Sequence, residues 1–415
     1  MTTPSQNRYY PSSVVAARPK LSFSLVTAIR SVRFWVEWAC FFLIATPFEL
    51  EIGSGYGYAI KGFATIILLM SRLTISRANV DGKFAWIVVL ALCFLGINIS
   101  SISSRAASAF ILILLGCSLG MLKSEEWRRR LFEIVTLYLI VHAGALVFSF
   151  IEFSLRGYVT DLHALIFSEA SRGQIIGAAV RVAGFHTEPG TYAQWVLMAL
   201  FLRSLLMRRV ASPLAVFVGV TMVMTWSLWA VVGAALLLSA IILEAVFRAN
   251  IASKVKFIIS AFVLFQVTLV ALAYLPQGML EDGLAFLRLK SEASTESGLN
   301  KILALNELYN RLNELVLFGN PIIPGFCPTC IAPQDIGIWA NFTYYFGLTP
   351  SLLIFLSAAS LLLRGWGISF LPLLIGMMLW KATFYDQFLW ILIGTILSRN
   401  AASRLRPRAV VSTRG

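Results

Sequence analysis

The chain has 415 residues, of which 58% are hydrophobic and only 13% are charged, and its formal net charge is +14. The charged share is about half of the share in soluble domains, so the composition predicts a polytopic membrane protein and argues against a soluble enzyme. Nucleic-acid binding would need a basic patch on a soluble face, and the sequence shows none. The first 33 residues also lack the apolar stretch and cleavage site of a signal peptide.

Apolar stretches long enough to be candidate membrane helices recur along the whole chain, since such a helix needs about 20 residues. The candidates are 34–51, 56–71, 84–100, 106–122, 131–152, 192–207, 212–226, 228–247, 257–275, 341–363, 366–383 and 387–398. The last is short, and the seventh and eighth almost adjoin at Trp226, so ten to twelve spans are expected. The predicted fold class is an all-α polytopic membrane protein, with a transmembrane domain over 34–398.

The Lys and Arg residues predict the orientation of these spans. If the N-terminal tail (1–33) is cytoplasmic, 24 of the 34 basic residues fall on the cytoplasmic side, the C-terminal tail (399–415) included. Basic residues concentrate in cytoplasmic loops, so both termini are predicted to be cytoplasmic. Of the ten outer basic residues, three lie near span ends or in a short loop: Lys61, Arg105 and Lys381. The other seven lie in two long outer loops, about 153–191 and 276–340, where function is expected.

The first loop ends in RVAGFHTEPGTYA, which runs from Arg181 to Ala193. Pro189 restricts Glu188 to extended geometry, so the pattern predicts a turn just before a helix. A carboxylate at a helix start is favoured by the helix dipole, which is one interpretation of Glu188. With Arg181 and His186 nearby, the cluster could also hold an anion and move a proton near neutral pH. His186 taken alone would be interpreted as a surface histidine.

In the second loop, residues 297–318 carry apolar side chains at spacings of three and four, which predicts an amphipathic helix. Arg311 falls on this helix and Arg288 precedes it. Both arginines have acidic neighbours, so each is either a ligand-binding group or part of an ion-paired face. A Gly/Pro-rich segment follows and ends at Asp335.

Two further features carry chemistry in the sequence. Cys327 and Cys330 form a CxxC pair in the second loop, which can mean a redox motif, half a zinc site or a disulfide. Without a second ligand pair nearby, a structural disulfide is favoured if the compartment is a bacterial periplasm. His142 is the main titratable residue inside a predicted span, either functional or hydrogen-bonded between helices.

Three segments together resemble the O-antigen and exopolysaccharide polymerases and the O-antigen ligases. RVAGFHTEPGTYA resembles their helix-opening segment, in which an arginine, a glycine and Glu-Pro or Asn-Pro recur. MTWSLWAVVGAALLL, from Met224, resembles their next shared piece, with Trp229 where an arginine is usual. SGLNKILALNELYNRLNELVLFGNPIIPGF resembles their second periplasmic loop, with Leu299 and Phe326 at positions that usually hold arginine and glycine. The similarity covers roughly residues 130–360.

The resemblance implies a bacterial inner-membrane glycosyltransferase of the glycosyltransferase C type. Such a polymerase joins oligosaccharide repeat units carried on undecaprenyl pyrophosphate, at the periplasmic face. Arginines bind such phosphate oxygens and neutralise the leaving group, so no metal ion or other cofactor is expected. The expected catalytic residues are Arg181, His186 and Glu188, and the expected pyrophosphate- or glycan-binding residues are Arg172, Arg288, Arg311 and Asp335.

Two other functions stay open at the level of sequence. One is a ligase that moves a finished glycan onto a lipid or protein acceptor, although Glu-Pro rather than Asn-Pro favours a polymerase by analogy. The other is a flippase or transporter for lipid-linked sugars, but the sequence shows no convincing internal repeat. No ATP-binding loop is present, which argues against an ATP-driven pump. Expected partners are membrane lipid, a chain-length-regulating co-polymerase and export proteins, and no nucleic acid.

Overall fold

The computed structural model describes residues 31–47, 54–73, 104–122, 124–167, 169–176, 179–248, 281–282, 285, 288, 296–317, 319–320 and 336–398. These residues are mostly helical, as the sequence predicts. The helices in chain order are α1 (Val32–Ala45), α2 (Ser54–Leu73), α3 (Ser104–Met121), α4 (Glu125–Arg156), α5 (Leu162–Phe167), α6 (Pro189–Met207), α7 (Pro213–Val223), α8 (Leu228–Arg248), α9 (Glu296–Asn310), α10 (Ile338–Phe346), α11 (Leu348–Gly365), α12 (Leu371–Met378) and α13 (Gln387–Leu397). A 3-10 helix, Ile368–Phe370, precedes α12.

Three helices within the described part of the chain are long and apolar enough to cross a membrane: Glu125–Arg156, Leu228–Phe247 and Leu348–Gly365. They overlap the predicted spans 131–152, 228–247 and 341–363, the last of which the structure divides at Gly347 between α10 and α11. Shorter apolar helices lie within or close to five more predicted spans: Ala59–Ser71, Ala107–Met121, Pro213–Val223, Ile368–Met378 and Gln387–Leu397. The predicted spans 84–100 and 257–275 and the C-terminal tail lie outside the described residues. The total number of spans and the cytoplasmic termini stay predictions.

A two-stranded antiparallel sheet in the first loop refines the all-α expectation. Strand β1 (Gln174–Ile176) pairs with β2 (Ala179–Arg181), and Gln174 lies opposite Arg181. Isoleucine and valine favour extended backbone, which explains why this short stretch pairs rather than coils. The hairpin folds residues 174–176 back onto residues 179–181, just before the turn that leads into α6.

Helix α6 is buried on every side and forms the centre of the described fold. Its side chains from Tyr192 to Leu205 are all buried, and it packs against α4, α7, α8, α12 and α13. A helix that is apolar all round belongs in an interior. Its buried arginine is satisfied, since Arg203 donates to the hydroxyls of Thr136 and Ser212 over 3.0 and 3.1 Å. The first-loop turn therefore leads directly into a helix that is buried on every side within the described residues.

Helices α3 and α13 pack with their backbones in contact, through small residues. A Cβ on Gly120 would clash with the Ile391 carbonyl oxygen, and one on Gly394 would clash with the Cys117 carbonyl oxygen. Small residues four apart let membrane helices approach this closely. Because Gly116 meets Gln387 and Gly120 meets Ile391, the two helices run in the same direction, as the fourth and twelfth predicted spans should.

A buried non-helical segment separates α12 from α13, so the predicted span 366–383 ends early. Helix α12 stops at Met378, and residues 379–386 are irregular, with Trp380 and Phe384 completely buried. Side chains of other helices satisfy their backbone: the Lys381 N–H donates to Gln194 Oε1 and the Phe384 N–H to Asn341 Oδ1. Irregular backbone at membrane depth needs such protein partners or a polar cavity.

The amphipathic helix of the second loop is also shorter than predicted. It ends at Asn310, and residues 311–317 form turns. The Leu348 and Thr349 amides donate to the carbonyls of Leu315 and Val316, which holds these turns against the start of α11. Leu315 is buried in a small separate cluster that joins this segment to α10.

Candidate functional site

The turn from Phe185 to Glu188 leads directly into α6, and the local sequence sets its backbone. Gly184 has a φ of +58°, a left-handed conformation that favours glycine, and it packs against α4. Glu188 is extended, with a φ of −149°, because Pro189 follows it in the first turn of the helix. The prediction of a turn immediately before a helix is confirmed here.

The Glu188 carboxylate occupies the N-cap position of α6 but does not cap the helix. It makes no hydrogen bond to the backbone amides of the first turn, and the Thr191 hydroxyl donates to its Oε1 over 3.2 Å. The side chain is half-buried. Its position at the helix start agrees with the helix-dipole interpretation, which needs no cap hydrogen bond. A carboxylate that is not used for capping can accept a hydrogen bond or a proton from a bound ligand.

The hairpin brings two arginines of the first loop to this same turn. Arg181 ends β2, and Arg172 lies two residues before β1, with its backbone N–H donating to the Thr187 carbonyl. Burial lowers the pKa of the Arg181 guanidinium, and the nearby Glu188 carboxylate opposes that shift. The Arg181 side chain is half-buried and that of Arg172 is exposed. Arg172, Arg181 and Glu188 are thus arranged around one turn.

His186 lies on the inner side of the turn and is completely buried, so the interpretation as a surface histidine is wrong. Its ring centroid is 4.8 Å from that of His142 on α4 and 5.5 Å from that of Tyr192 on α6. Within the described residues, neither of its ring nitrogens has a hydrogen-bond partner. Burial first, and then His142, His163 and Lys61, lower the pKa of His186 well below its ordinary value. His186 is therefore neutral at pH 7.

Two polar residues that sequence reasoning missed organise the first loop. Asp161 Oδ1 accepts from the amides of His163 and Ala164 over 3.1 and 3.0 Å, and its Oδ2 accepts from the Ser171 amide over 2.7 Å. His163 is completely buried, and its Nδ1 lies 2.8 Å from the Phe185 carbonyl oxygen. An aspartate just before a short apolar stretch is a helix-start signal, which could have identified Asp161.

A buried ion pair close to the same site joins α2 to the start of α13. The Lys61 ammonium lies 3.3 Å from Asp386 Oδ2 and 4.8 Å from the centre of the Trp195 ring. The other oxygen of Asp386 accepts from the Phe388 amide over 2.9 Å. The sequence placed Lys61 near a span end, but the structure buries it, and its charge acts on His186. Buried ionisable groups of membrane proteins are functional candidates, and this pair was missed because its members are 325 residues apart.

Arg311 contacts other residues of the second loop and the adjacent helix α10. Its guanidinium donates to Asn320 Oδ1 over 2.7 Å and to Glu314 Oε2 over 3.1 Å, and it lies against the Tyr344 ring at 5.8 Å. Of the two interpretations of Arg311 in the sequence, the ion-paired face is the one that these contacts support. Gly319 packs so tightly on the Tyr345 backbone that any side chain there would clash, which fixes the loop beside α10.

The other predicted site residues of the second loop are described less fully. Arg288 is helical and exposed. Asp335, Cys327 and Cys330 lie outside the described residues, so the predicted disulfide is untested. No three His, Cys, Asp or Glu side chains within the described ranges are grouped so that they could hold a metal ion. Metal independence stays a prediction of the sequence.

Comparisons of the chain with protein-family models, with curated proteins and with solved structures give no match. The function is therefore inferred from the residues and geometry of the site.

Proposed function

We propose that this chain is a polysaccharide polymerase of a bacterial inner membrane, which joins repeat units carried on undecaprenyl pyrophosphate at the outer face. The observation that carries the proposal is the arrangement of Arg172, Arg181 and Glu188 around one turn at the start of a buried helix. One guanidinium group can bind two phosphate oxygens at once through parallel hydrogen bonds. A carboxylate beside it can take a proton from a sugar hydroxyl. The apolar helices suit a lipid-linked substrate.

In the proposed reaction, a hydroxyl oxygen at the non-reducing end of one repeat unit attacks C1 of the growing chain. The bond between C1 and the pyrophosphate oxygen breaks, and the lipid pyrophosphate leaves with the electron pair. Glu188 accepts the proton of the attacking hydroxyl. Arg172 and Arg181 stabilise the negative charge on the departing pyrophosphate, which is the larger part of such catalysis.

The geometry favours Glu188 over His186 as the base. Glu188 is partly exposed, whereas His186 is completely buried with a lowered pKa, so it meets no substrate hydroxyl and binds protons weakly. Arg288 and Asp335 are retained as glycan-binding candidates of the second loop. The contacts of Arg311 assign it to holding that loop together instead.

A transport function is the second candidate, and one observation favours it. The buried break between α12 and α13 lies beside the Lys61–Asp386 ion pair, and transporters often bind substrates at interrupted helices with buried charges. A transport function does not explain the first-loop cluster of two arginines and a glutamate, so we prefer the polymerase.

Reconstitution distinguishes these functions. The purified protein is placed in liposomes with lipid-linked repeat units, without nucleotide or added metal, and the products are separated by gel. Polymer built on the lipid carrier supports the polymerase. Transfer of a finished glycan to an added lipid or protein acceptor without polymer would support a ligase. Movement of unchanged repeat units across the bilayer would support a transporter.

The proposed site also requires the first loop to face outward. Reporter fusions after Arg172 and after Lys301 should be active only as periplasmic reporters, because 24 of the 34 basic residues fall on the other side in this topology. Cytoplasmic reporter activity at either position would overturn the orientation.

A further inference from the structure

The short helix α5 touches both sides of the first-loop site. Through Asp161, at its start, it holds the Ser171 amide, which directly precedes Arg172. Through His163, in its first turn, it reaches Phe185, which directly precedes His186. One six-residue helix therefore contacts the chain at both ends of the segment that carries the proposed arginines and the turn.

The contact between His163 and the turn has a defined chemistry. A carbonyl oxygen only accepts hydrogen bonds, so the His163 Nδ1, 2.8 Å away, must carry the proton and donate it to the Phe185 carbonyl. The ring is completely buried and packs on Phe167 with centroids 4.9 Å apart. On the other edge of the ring, Nε2 lies 3.5 Å from the Glu169 carboxylate and makes no hydrogen bond within the described residues.

Between Ala183 and Glu188, four backbone carbonyls accept hydrogen bonds from different partners, and the one that His163 holds is among them. The Ala183 carbonyl accepts from the His186 amide, Thr187 from the Arg172 amide and Glu188 from the Tyr192 amide. Those three donors are backbone groups, but the Phe185 carbonyl accepts from a side chain. The Phe185 carbonyl, at the start of the turn that leads into α6, therefore depends on the His163 side chain.

We propose that His163 is a positioning residue of this site, whose Nδ1–H fixes the Phe185 carbonyl and so holds Glu188 and Arg181 in their working geometry. This inference rests on the proposed function for its effect on turnover, and on the observed contacts alone for its effect on the turn. The role needs a donor at the Nδ1 position and does not need an imidazole.

Two isosteric variants test that requirement. His163→Asn places an amide N–H near the Nδ1 position, whereas His163→Gln places one near the Nε2 position, and neither side chain titrates. The first measurement needs no enzymatic activity: tryptic cleavage after Arg181 in detergent-purified protein, quantified by mass spectrometry. His163→Asn should be cleaved at the rate of the unmodified protein, and His163→Gln several-fold faster, because its turn is released.

The second measurement is polymer formation in liposomes, with kcat and KM determined separately. His163→Gln should lose about 10-fold or more in kcat with little change in KM, since a misplaced base costs turnover rather than binding. His163→Asn should retain at least half of kcat. The inference would be overturned if both variants kept the cleavage rate and the kcat of the unmodified protein. It would also be overturned if both variants lost kcat to the same extent.

The two proposals fail in different ways. If the unmodified protein forms no polymer but only His163→Gln opens the turn to trypsin, the polymerase is wrong and the positioning role stands. If polymer forms and His163→Gln behaves as the unmodified protein does, the positioning role is wrong. Should His163→Gln not fold, a folded His163→Asn variant that is cleaved faster, or loses most of its kcat, is sufficient to reject the role.

Discussion

Arg181 in the first outer loop and Arg311 in the second lie in similar sequence surroundings but in different structures. Arg181 lies beside Glu188 at the start of α6, the helix that is buried on every side. Arg311 lies in a turn beyond the end of α9 and donates to Glu314 and to Asn320 in its own loop. The first loop thus attaches its charges to the core of the fold, and the second uses them to hold itself together.

This difference has a physical consequence for binding. A group on a turn that leads into a buried helix is held in position before a ligand arrives, and such positioning lowers the barrier to reaction. An arginine that already forms ion pairs must give them up before it can bind a phosphate. We therefore propose that the chemistry takes place at the first loop and that the second loop has a structural part, and each prediction below tests one side of this contrast.

The largest expected effect comes from Glu188→Gln in the first loop. Glutamine keeps the shape and can still accept the Thr191 hydrogen bond, but it cannot take a proton. Polymer formation in liposomes should fall by about 100-fold or more, while binding of the lipid-linked unit is largely kept.

Its matched control is Glu314→Gln, the same change at an exposed carboxylate of the second loop, which should leave turnover nearly unchanged. If Glu188→Gln formed nearly normal amounts of polymer, or if both variants lost polymer formation equally, the proposed difference in function between the two loops would be wrong.

The next effect is expected from Arg181→Lys. A lysine keeps the charge but loses the planar fork that binds two phosphate oxygens, so it should fail nearly as badly as Arg181→Ala. A loss on the order of 10-fold or more in kcat/KM corresponds to losing one charged hydrogen bond. If Arg181→Lys were fully active and Arg181→Ala inactive, Arg181 would contribute only its positive charge, and the planar fork would not be needed.

Much of the fold could be predicted from the sequence because its signals are local. Hydropathy identifies α4, α8 and α11 as candidate spans, and the proline rule places the turn before α6. Helix ends were harder to predict. Helix α9 ends at Asn310, and the turns that follow it are bound by amides at the start of α11, a contact that no local pattern reveals.

The site was predictable only in part, for the same reason. Arg181, His186 and Glu188 are close in sequence, so their motif is visible. The burial of His186 follows from its contacts with His142, 44 positions earlier, and with Tyr192. His163 bonds a carbonyl 22 residues away, and Lys61 pairs with an aspartate 325 residues away. Such partners are set by tertiary packing, which composition and spacing do not encode.

A smaller effect on activity, but a large one on stability, is expected from the buried ion pair. Lys61→Met leaves Asp386 buried without its charge partner and should lower the free energy of unfolding by about 3–5 kcal/mol. Adding Asp386→Asn removes the unpaired charge and keeps an oxygen for the Phe388 amide, so the double variant should recover most of that loss. Detergent-denaturation curves of the single and double variants measure both values.

This pair also bears on the comparison of the loops. Because Lys61 packs on the Trp195 ring of α6, the helix into which the first-loop turn leads, the single variant should increase tryptic cleavage after Arg181 more than cleavage after Arg311. Equal increases at both sites would mean that the first loop has no special attachment to the core.

The smallest effect is expected from Arg311→Lys in the second loop. A lysine can keep one ion pair, with Glu314 or with Glu307, and loses the donor to Asn320, on a surface where each such pair contributes up to about 1 kcal/mol. Turnover should therefore stay within about twofold of the unmodified protein, against the loss expected for Arg181→Lys. The two lysine variants, assayed side by side for kcat/KM, make one matched test. If Arg311→Lys is as damaging as Arg181→Lys while its unfolding curve is unchanged, Arg311 leaves its ion pairs to bind the pyrophosphate, and the second loop belongs to the active site.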